Sequence, residues 1–404
     1  MDKNENRLLE GVRVLDLTRV LAGPYCGMLL ADLGADVIKI ENPRGGDDSR
    51  SMGPFVGEGE NRQSAYYINC NRSKRGCTLN LKDPEGKAIF LDMVEKSDMV
   101  IENYRPGTME KLGLGYDVLK EVNPGIIYGC VSGFGHTGPY SERAGYDIIG
   151  QAMGGLMSTT GWPDGDATRT GTPMGDVLGG LNLAIGILAA LHRKEKTGLG
   201  EKVDIALVDS VVSAMMNINM IYFAEGRVPE RIGNRYESTF PYDSFPAADG
   251  SVIIGAGNDK LYALLCEIME MPELKTDPRF ITIEDRVANY SDLTEYIVAW
   301  TKPRLVDEIV ALLNRAGVPS SPVNTVDRVV AEPQITQYRH MFPEIEQPGI
   351  GTMQITNNPQ RLTETCSGPW KAAPLLGENN MEIYGLWMGI DEEKVAGLKK
   401  KGVI

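Results

Sequence analysis

The densest cluster of small residues in the chain is Gly171-Thr172-Pro173-Met174-Gly175-Asp176-Val177-Leu178-Gly179-Gly180, and it holds one acidic side chain, Asp176. That carboxylate stands between a glycine and the start of a long apolar stretch. Two roles are open to it. Aspartate is among the best acceptors for the free N–H groups at a helix start, so Asp176 could be a cap. It could also be a nucleophile. A carboxylate with an ordinary pKa of about 4 is ionised at neutral pH and needs no histidine base beside it. Small neighbours leave backbone room for a bulky acyl group, and a helix N-terminus favours negative charge.

A second block, Glu102-Asn103-Tyr104-Arg105-Pro106-Gly107-Thr108-Met109-Glu110-Lys111-Leu112-Gly113, follows an expected strand. It therefore belongs at the carboxyl end of a sheet, where α/β proteins bind ligands. Arg105 and Lys111 are suited to meeting phosphates there; a solvated helix start with surface charges is the alternative. Other machinery is missing. The sequence has no G-x-S-x-G elbow, no phosphate-binding P-loop and no H-E-x-x-H. Val20-Leu21-Ala22-Gly23-Pro24 fills the turn where a dinucleotide-binding G-x-G-x-x-G would stand, which removes most support for a NAD-dependent dehydrogenase.

The elements that must position these residues follow from periodicity. Residues 11–17 are an expected strand, Gly23-Pro24 opens a helix through Leu33, Gly34 ends it, and residues 35–41 are a second strand. Strand, helix and strand over so short a span make a βαβ unit, so a parallel sheet is expected. The pattern recurs with a helix from Asp83-Pro84 to about Lys96 and strands at 99–103 and 125–131. A doubly wound α/β sheet follows. The apolar stretch 177–191 is interrupted by Gly179, Gly180, Asn182 and Gly186, and reads as a buried helix, not a membrane span.

At 404 residues the chain is too long for one ordinary core. We expect a smaller α+β domain at 225–325, with a strand at 251–254 and helices at 260–269, 291–301 and 305–316. The large domain is then discontinuous, 1–224 and 326–404, and closes on an amphipathic helix after Asp391. The net charge of −14 opposes a nucleic-acid partner, so an anionic ligand would need a locally basic pocket. The six cysteines form no C-x-x-C pair, which fits reduced thiols and a cytoplasmic location. Three histidines without a His/Cys cluster make a metal site unexpected. The polar stretch at residues 1–7 is not a signal peptide.

Taken in order, several blocks resemble the class III CoA-transferases. They are Leu21-Ala22-Gly23-Pro24, the run from Leu29 to Glu41, Glu102-Asn103-Tyr104-Arg105-Pro106-Gly107, Ser132-Gly133-Phe134-Gly135, Gly175-Asp176, Lys196-Thr197-Gly198-Leu199-Gly200 and Pro374-Leu375-Leu376-Gly377. The resemblance spans nearly the whole chain. It implies a Rossmann-like large domain with an inserted small domain, in a homodimer whose two chains interlock like links. It implies acyl-CoA and a small carboxylic acid as substrates, with no permanently bound cofactor and no membrane. By motif position, Asp176 falls at the family's catalytic aspartate. CoA contacts fall on Leu21, Ala22, Leu79, Asn80, Leu81, Lys82, Asn103, Tyr104, Arg105, Lys111, Ala144, Gly145, Tyr146 and Asp147.

Differences within the family refine the expectation. Formyl-CoA transferases carry a Gly-rich loop, whereas Gly233-Asn234-Arg235-Tyr236-Glu237-Ser238-Thr239-Phe240 has one glycine, which points away from formyl-CoA as donor. Arg231-Ile232-Gly233-Asn234-Arg235 with Gly255-Ala256-Gly257-Asn258-Asp259 is more similar to acetyl-CoA:oxalate and succinyl-CoA:dicarboxylate members. A small dicarboxylate such as oxalate is then the expected acceptor, with Arg169, Arg231 or Arg235 for its second carboxylate. The superfamily also holds α-methylacyl-CoA racemases, whose catalytic histidine falls where Tyr146 stands. Racemase chemistry and a non-catalytic CoA-binding module are the competing readings.

Overall fold

The structure is a computed structural model that describes residues 7–365, 368 and 370–404; the leader reading of residues 1–6 and the thiol of Cys366 fall outside them. The chain divides into two compact units, residues 1–156, 169–220 and 336–404 in the first, and 157–168 with 221–335 in the second.

The first unit is built on a six-stranded parallel sheet: β1 (Arg13–Asp16), β2 (Asp36–Glu41), β3 (Arg75–Thr78), β4 (Met99–Glu102), β5 (Ile127–Ser132) and β6 (Lys202–Ala206). Their spatial order is β3-β2-β1-β4-β5-β6, with every pairing parallel. This is the doubly wound order, and it reverses between β1 and β4, the switch point where such sheets bind ligands. Side chains alternate across the sheet. Val14, Val37, Met99, Ile101, Ile127 and Val131 enter one core, while Leu15, Ile38, Ile40, Val100, Tyr128 and Cys130 enter the other.

The helices that matter for the site are α1 (Ala22–Asp32), α2 (Pro84–Glu95), α3 (Asp147–Met153), α4 (Met174–Thr197) and α5 (Leu207–Ala214). α2 starts where the sequence says it should, because the Asp83 side chain accepts from Glu85 N at 2.8 Å and Pro84 sits at the first helical position. α4 is long and apolar enough to cross a membrane by length and composition alone. Instead one face is buried, through Gly175, Gly179, Gly180, Leu183, Ala184, Ile187 and Ala190. A Cβ on Gly180 would lie 2.5 Å from the Ala22 carbonyl oxygen, so only glycine lets α4 approach the start of α1 this closely.

The second unit carries an antiparallel sheet of β7 (Tyr242–Pro246), β8 (Ser251–Gly255) and β9 (Ser320–Pro322), with β8 central. Helices α6 (Asp259–Ile268), α7 (Tyr290–Thr301) and α8 (Val306–Arg315) share its core with Phe240, Phe245, Val252, Ile254, Phe280 and Trp300. One boundary needs correction. Residues 157–168, expected in the large domain, belong with this unit because Arg231 donates to Gly165 O at 3.1 Å and Ser158 O at 3.3 Å, and Gly233 N donates to Gly161 O at 3.0 Å. At the other end the unit runs on to Ile335, beyond the expected 325, with Arg328 reaching Asp307 at 2.7 Å.

The chain then returns to the first unit and ends in α9 (Glu392–Lys401), capped by Asp391. Before it, Asn379 and Asn380 accept from Gly76 N and Thr78 N on edge strand β3, and Tyr384 donates to Thr78 O at 2.7 Å. This covers an edge that would otherwise expose unpaired backbone groups.

Candidate active site

Five loops converge at the carboxyl end of the sheet. The turn after β1 brings Arg19, Leu21 and Ala22; the loop after β4 brings Asn103, Tyr104 and Arg105. The end of β5 supplies Ser132 and Gly133, the approach to α3 supplies Arg143, Ala144, Gly145 and Tyr146, and the first turn of α4 supplies Asp176. Together they line a cavity of about 260 Å³. A second cavity of about 510 Å³ meets it at Arg19, Asp48 and Tyr104, and is lined by Arg44, Leu79, Asn80, Leu81, Lys82 and Thr108 among others. The pair forms a groove with Asp176 in one part and the Leu79-to-Lys82 loop in the other.

Of the fourteen positions named for CoA, all line one cavity or the other except Lys111 and Asp147. Lys111 lies on the short helix Thr108–Leu112, whose two end residues do line the second cavity. Asp147 lies behind Asp176. Its Oδ1 accepts from Gly175 N at 2.8 Å and Asp176 N at 3.4 Å, and its Oδ2 accepts from Gln151 Nε2 at 2.8 Å. A Cβ on Gly175 would come within 3.0 Å of that carboxylate. Asp147, not Asp176, therefore satisfies the free amides of α4.

Asp176 does not take the first of the two roles open to it, that of helix cap. The helix cap position is Pro173, which has no side-chain acceptor, and Asp176 is the third helical residue. Its carboxylate makes no hydrogen bond among the described residues. The expectation of an ordinary pKa is corrected: burial, followed by the like charge of Asp147, pushes the Asp176 carboxyl up to about 7. The group is poorly solvated and has no hydrogen-bond partner among the described residues.

Sequence reasoning missed Arg19, Arg44 and Arg143, which with Arg105 and Lys82 bring five cations to a groove that Glu41, Asp47, Asp48 and Asp176 also line. Arg143 precedes the quoted Ala144-Gly145-Tyr146-Asp147 directly, so its neighbourhood was the available signal; its guanidinium stacks 3.5 Å over Tyr140. The arginines named for the acceptor do not line this cavity. Arg169 donates to the carbonyls of Thr170 and Gly171. Arg231 and Arg235 lie in the second unit, the former on backbone carbonyls and the latter over the Tyr290 ring at 4.3 Å.

Behind the Asn103-Tyr104-Arg105 loop, Glu102, Cys130 and His136 bring three potential metal-ligand atoms within 4.8 Å of one another. Glu102 and His136 are each engaged by other groups. Glu102 accepts from Tyr104 N at 2.7 Å and Tyr128 Oη at 2.9 Å, and burial pushes its carboxyl up to about 7. A ligating histidine donates its second N–H to an acceptor, whereas Lys202 Nζ lies 3.3 Å from His136 Nδ1.

The pattern for CoA-transferase family III matches residues 9–380. A succinyl-CoA–D-citramalate CoA-transferase of Chloroflexus aurantiacus is 39% identical over 399 residues, 98% of each chain. A succinyl-CoA:mesaconate CoA-transferase of Haloarcula marismortui is 44% identical over 382 residues, 93% of this chain and 95% of the relative. Among solved structures, a CAIB/BAIF family protein from Brucella suis superposes with a TM-score of 0.84 at 40% identity, covering 94% of this chain and 99% of that one.

Proposed function

The chain belongs to CoA-transferase family III, and we propose that it moves CoA from a succinyl-CoA or acetyl-CoA type donor to a small dicarboxylic acid, with Asp176 as covalent nucleophile. The observation that carries this reading is the position of Asp176: a half-buried, unpartnered carboxylate in the same cavity as Leu21, Ala22 and Tyr146. The activities for which the relatives are named, with D-citramalate and mesaconate as acceptors, support a dicarboxylate.

The chemistry balances without metal or external base. An Asp176 oxygen attacks the thioester carbonyl, the C–S bond breaks, and CoA leaves as thiolate beside a mixed anhydride. The thiolate then attacks the Asp176 carbonyl carbon, releasing the donor acid as carboxylate and leaving an aspartyl-CoA thioester. The acceptor carboxylate attacks that carbon, a second anhydride forms, and the returning thiolate takes the acceptor acyl group. Asp176 ends as it began. Every step exchanges a carboxylate and a thiolate at an activated acyl carbon. The anhydrides demand that water be kept out.

A screen of acyl-CoA donors against carboxylic acids, read by mass spectrometry, tests the assignment. Succinyl-CoA or acetyl-CoA with a C2 to C5 dicarboxylate is expected to give product acyl-CoA. Given a 2-methylacyl-CoA in deuterium oxide without acceptor, the protein is expected to exchange no α-proton. Exchange at a rate matching transfer would promote the racemase reading. Against that reading, Tyr146 stands where racemases carry histidine, and among the described residues no histidine lines the cavity.

The interlocked homodimer belongs to the same proposal. α3 packs beside α5, and together they leave Ile148, Ile149, Met153, Val212 and the following Met216 exposed, the last by 70%. Apolar side chains massed in this way suit an interface. Sedimentation at low concentration is expected to find an active dimer; a folded, active monomer contradicts it. The five described cysteines are free and buried, which supports a reducing, cytoplasmic setting.

A further inference from the structure

Four charged side chains, Asp16, Lys39, Asp47 and Lys74, are at most 4% exposed, and Asp47 also lines the second cavity. They pair as Lys39–Asp47 and Lys74–Asp16, each at 2.8 Å. Buried ion pairs are weak contributors to stability, because desolvation offsets their attraction. Their contacts suggest another use. Lys39 Nζ donates to Thr18 O, Asp16 accepts from Thr18 N at 2.9 Å, and Lys74 Nζ donates to Pro24 O at 3.0 Å. Asn103 clamps Arg19 through both its N–H and its carbonyl at 2.7 Å. The turn after β1 is thus tied down on both sides of Leu21 and Ala22, which face the cavity.

The tie at Val20 is the informative one. Val20 has φ +68°, and among the described residues it is the one β-branched side chain in the left-handed region. Leu21 follows at φ −133° and ψ −65°, outside both the helical and the extended regions. A backbone of this kind persists only where its surroundings over-determine it. The determinant is Asp47, whose Oδ1 accepts from Val20 N at 3.1 Å and whose Oδ2 accepts from Lys39.

We infer that Asp47, held by Lys39, is a positioning residue: it locks Val20 in its left-handed conformation and so aims the Leu21-Ala22 turn into the cavity that contains Asp176. The inference rests on the reading that CoA occupies this groove.

Asp47→Asn is the incisive variant. Lys39 Nζ, Val20 N, Ser49 N and Ser49 Oγ all donate to this carboxylate. The new amide must therefore turn its own N–H groups toward one of those donors. The charged Lys39 takes the oxygen, and the N–H groups oppose Val20. CoA affinity is measured by calorimetry, which needs no turnover, in two backgrounds. With Val20 present, Asp47→Asn is expected to weaken CoA binding about tenfold. Measured against the Val20→Gly baseline, the same substitution is expected to cost less than about threefold, because glycine adopts positive φ freely. General damage to the fold would cost the same in both backgrounds, and equal losses overturn the inference. Should Asp47→Asn fail to fold, hydrogen exchange on the wild-type chain decides. The Val20 amide is expected to be protected to the level of the sheet, and fast exchange there overturns the inference. A wild-type chain that binds no CoA refutes the functional reading alone, since the exchange experiment still tests the lock.

Discussion

Asp176→Ala is expected to abolish CoA transfer, by at least about 10⁴-fold in turnover, while CoA affinity stays within a few fold. No neighbour is placed to take over. Among the described residues, the other carboxylate lining the cavity is Asp48, which is ion-paired with Arg19. Asp147 lies close, but its two oxygens are engaged by the amides of Gly175 and Asp176 and by Gln151. Water cannot stand in for the lost carboxylate, because its attack gives hydrolysis and ends the exchange. The fold should tolerate the change, since Asp176 caps nothing and makes no hydrogen bond among the described residues. Incubating wild type with donor and then hydroxylamine is expected to convert Asp176 to a hydroxamate on its own peptide, which the alanine variant cannot do. A variant retaining more than about a tenth of wild-type turnover places the nucleophile elsewhere.

How much of this was readable in the sequence depends on how far apart the cooperating residues lie. β1, α1 and β2 follow from local periodicity, and so do α2 and its Asp83 cap, because each involves residues a few positions apart. The cluster around Asp176 was visible as a run of small residues. Its helical position was not, since the group that caps α4 is Asp147, 29 positions from Asp176. The raised pKa of Asp176 was hidden for the same reason, because both burial and the Asp147 charge are tertiary effects. Local pattern also gave no sign that Lys39, inside the expected strand 35–41, is buried and paired with Asp47 in the following loop. Nor could local pattern assign residues 157–168, whose partners Arg231 and Gly233 lie more than sixty positions on.

The position of Asp176 makes activity and stability respond to pH in opposite senses. The nucleophile is the anion, and the free chain holds this carboxyl at about 7. kcat/KM for the donor is therefore expected to fall with unit slope as pH drops below about 7, where an ordinary aspartate would stay active down to about 4. Stability runs the other way. Between the unfolded pKa of about 4 and the folded value, the native state binds the proton more tightly than the unfolded chain. The ionised group thus imposes a penalty that is absent below about pH 4, grows as pH rises and is complete above about pH 7. Asp176→Asn removes the ionisation but keeps the shape. Its unfolding free energy, from denaturant titration, is expected to match wild type near pH 4 and exceed it at pH 8 by about 3 kcal/mol after solvent screening. Asp147 supplies the second part of the shift, so Asp147→Asn is expected to move the activity limb to lower pH. An activity limb near pH 4 in wild type, with no stability gap between wild type and Asp176→Asn at pH 8, would mean that Asp176 is solvated in the working enzyme and is not the poised nucleophile described here.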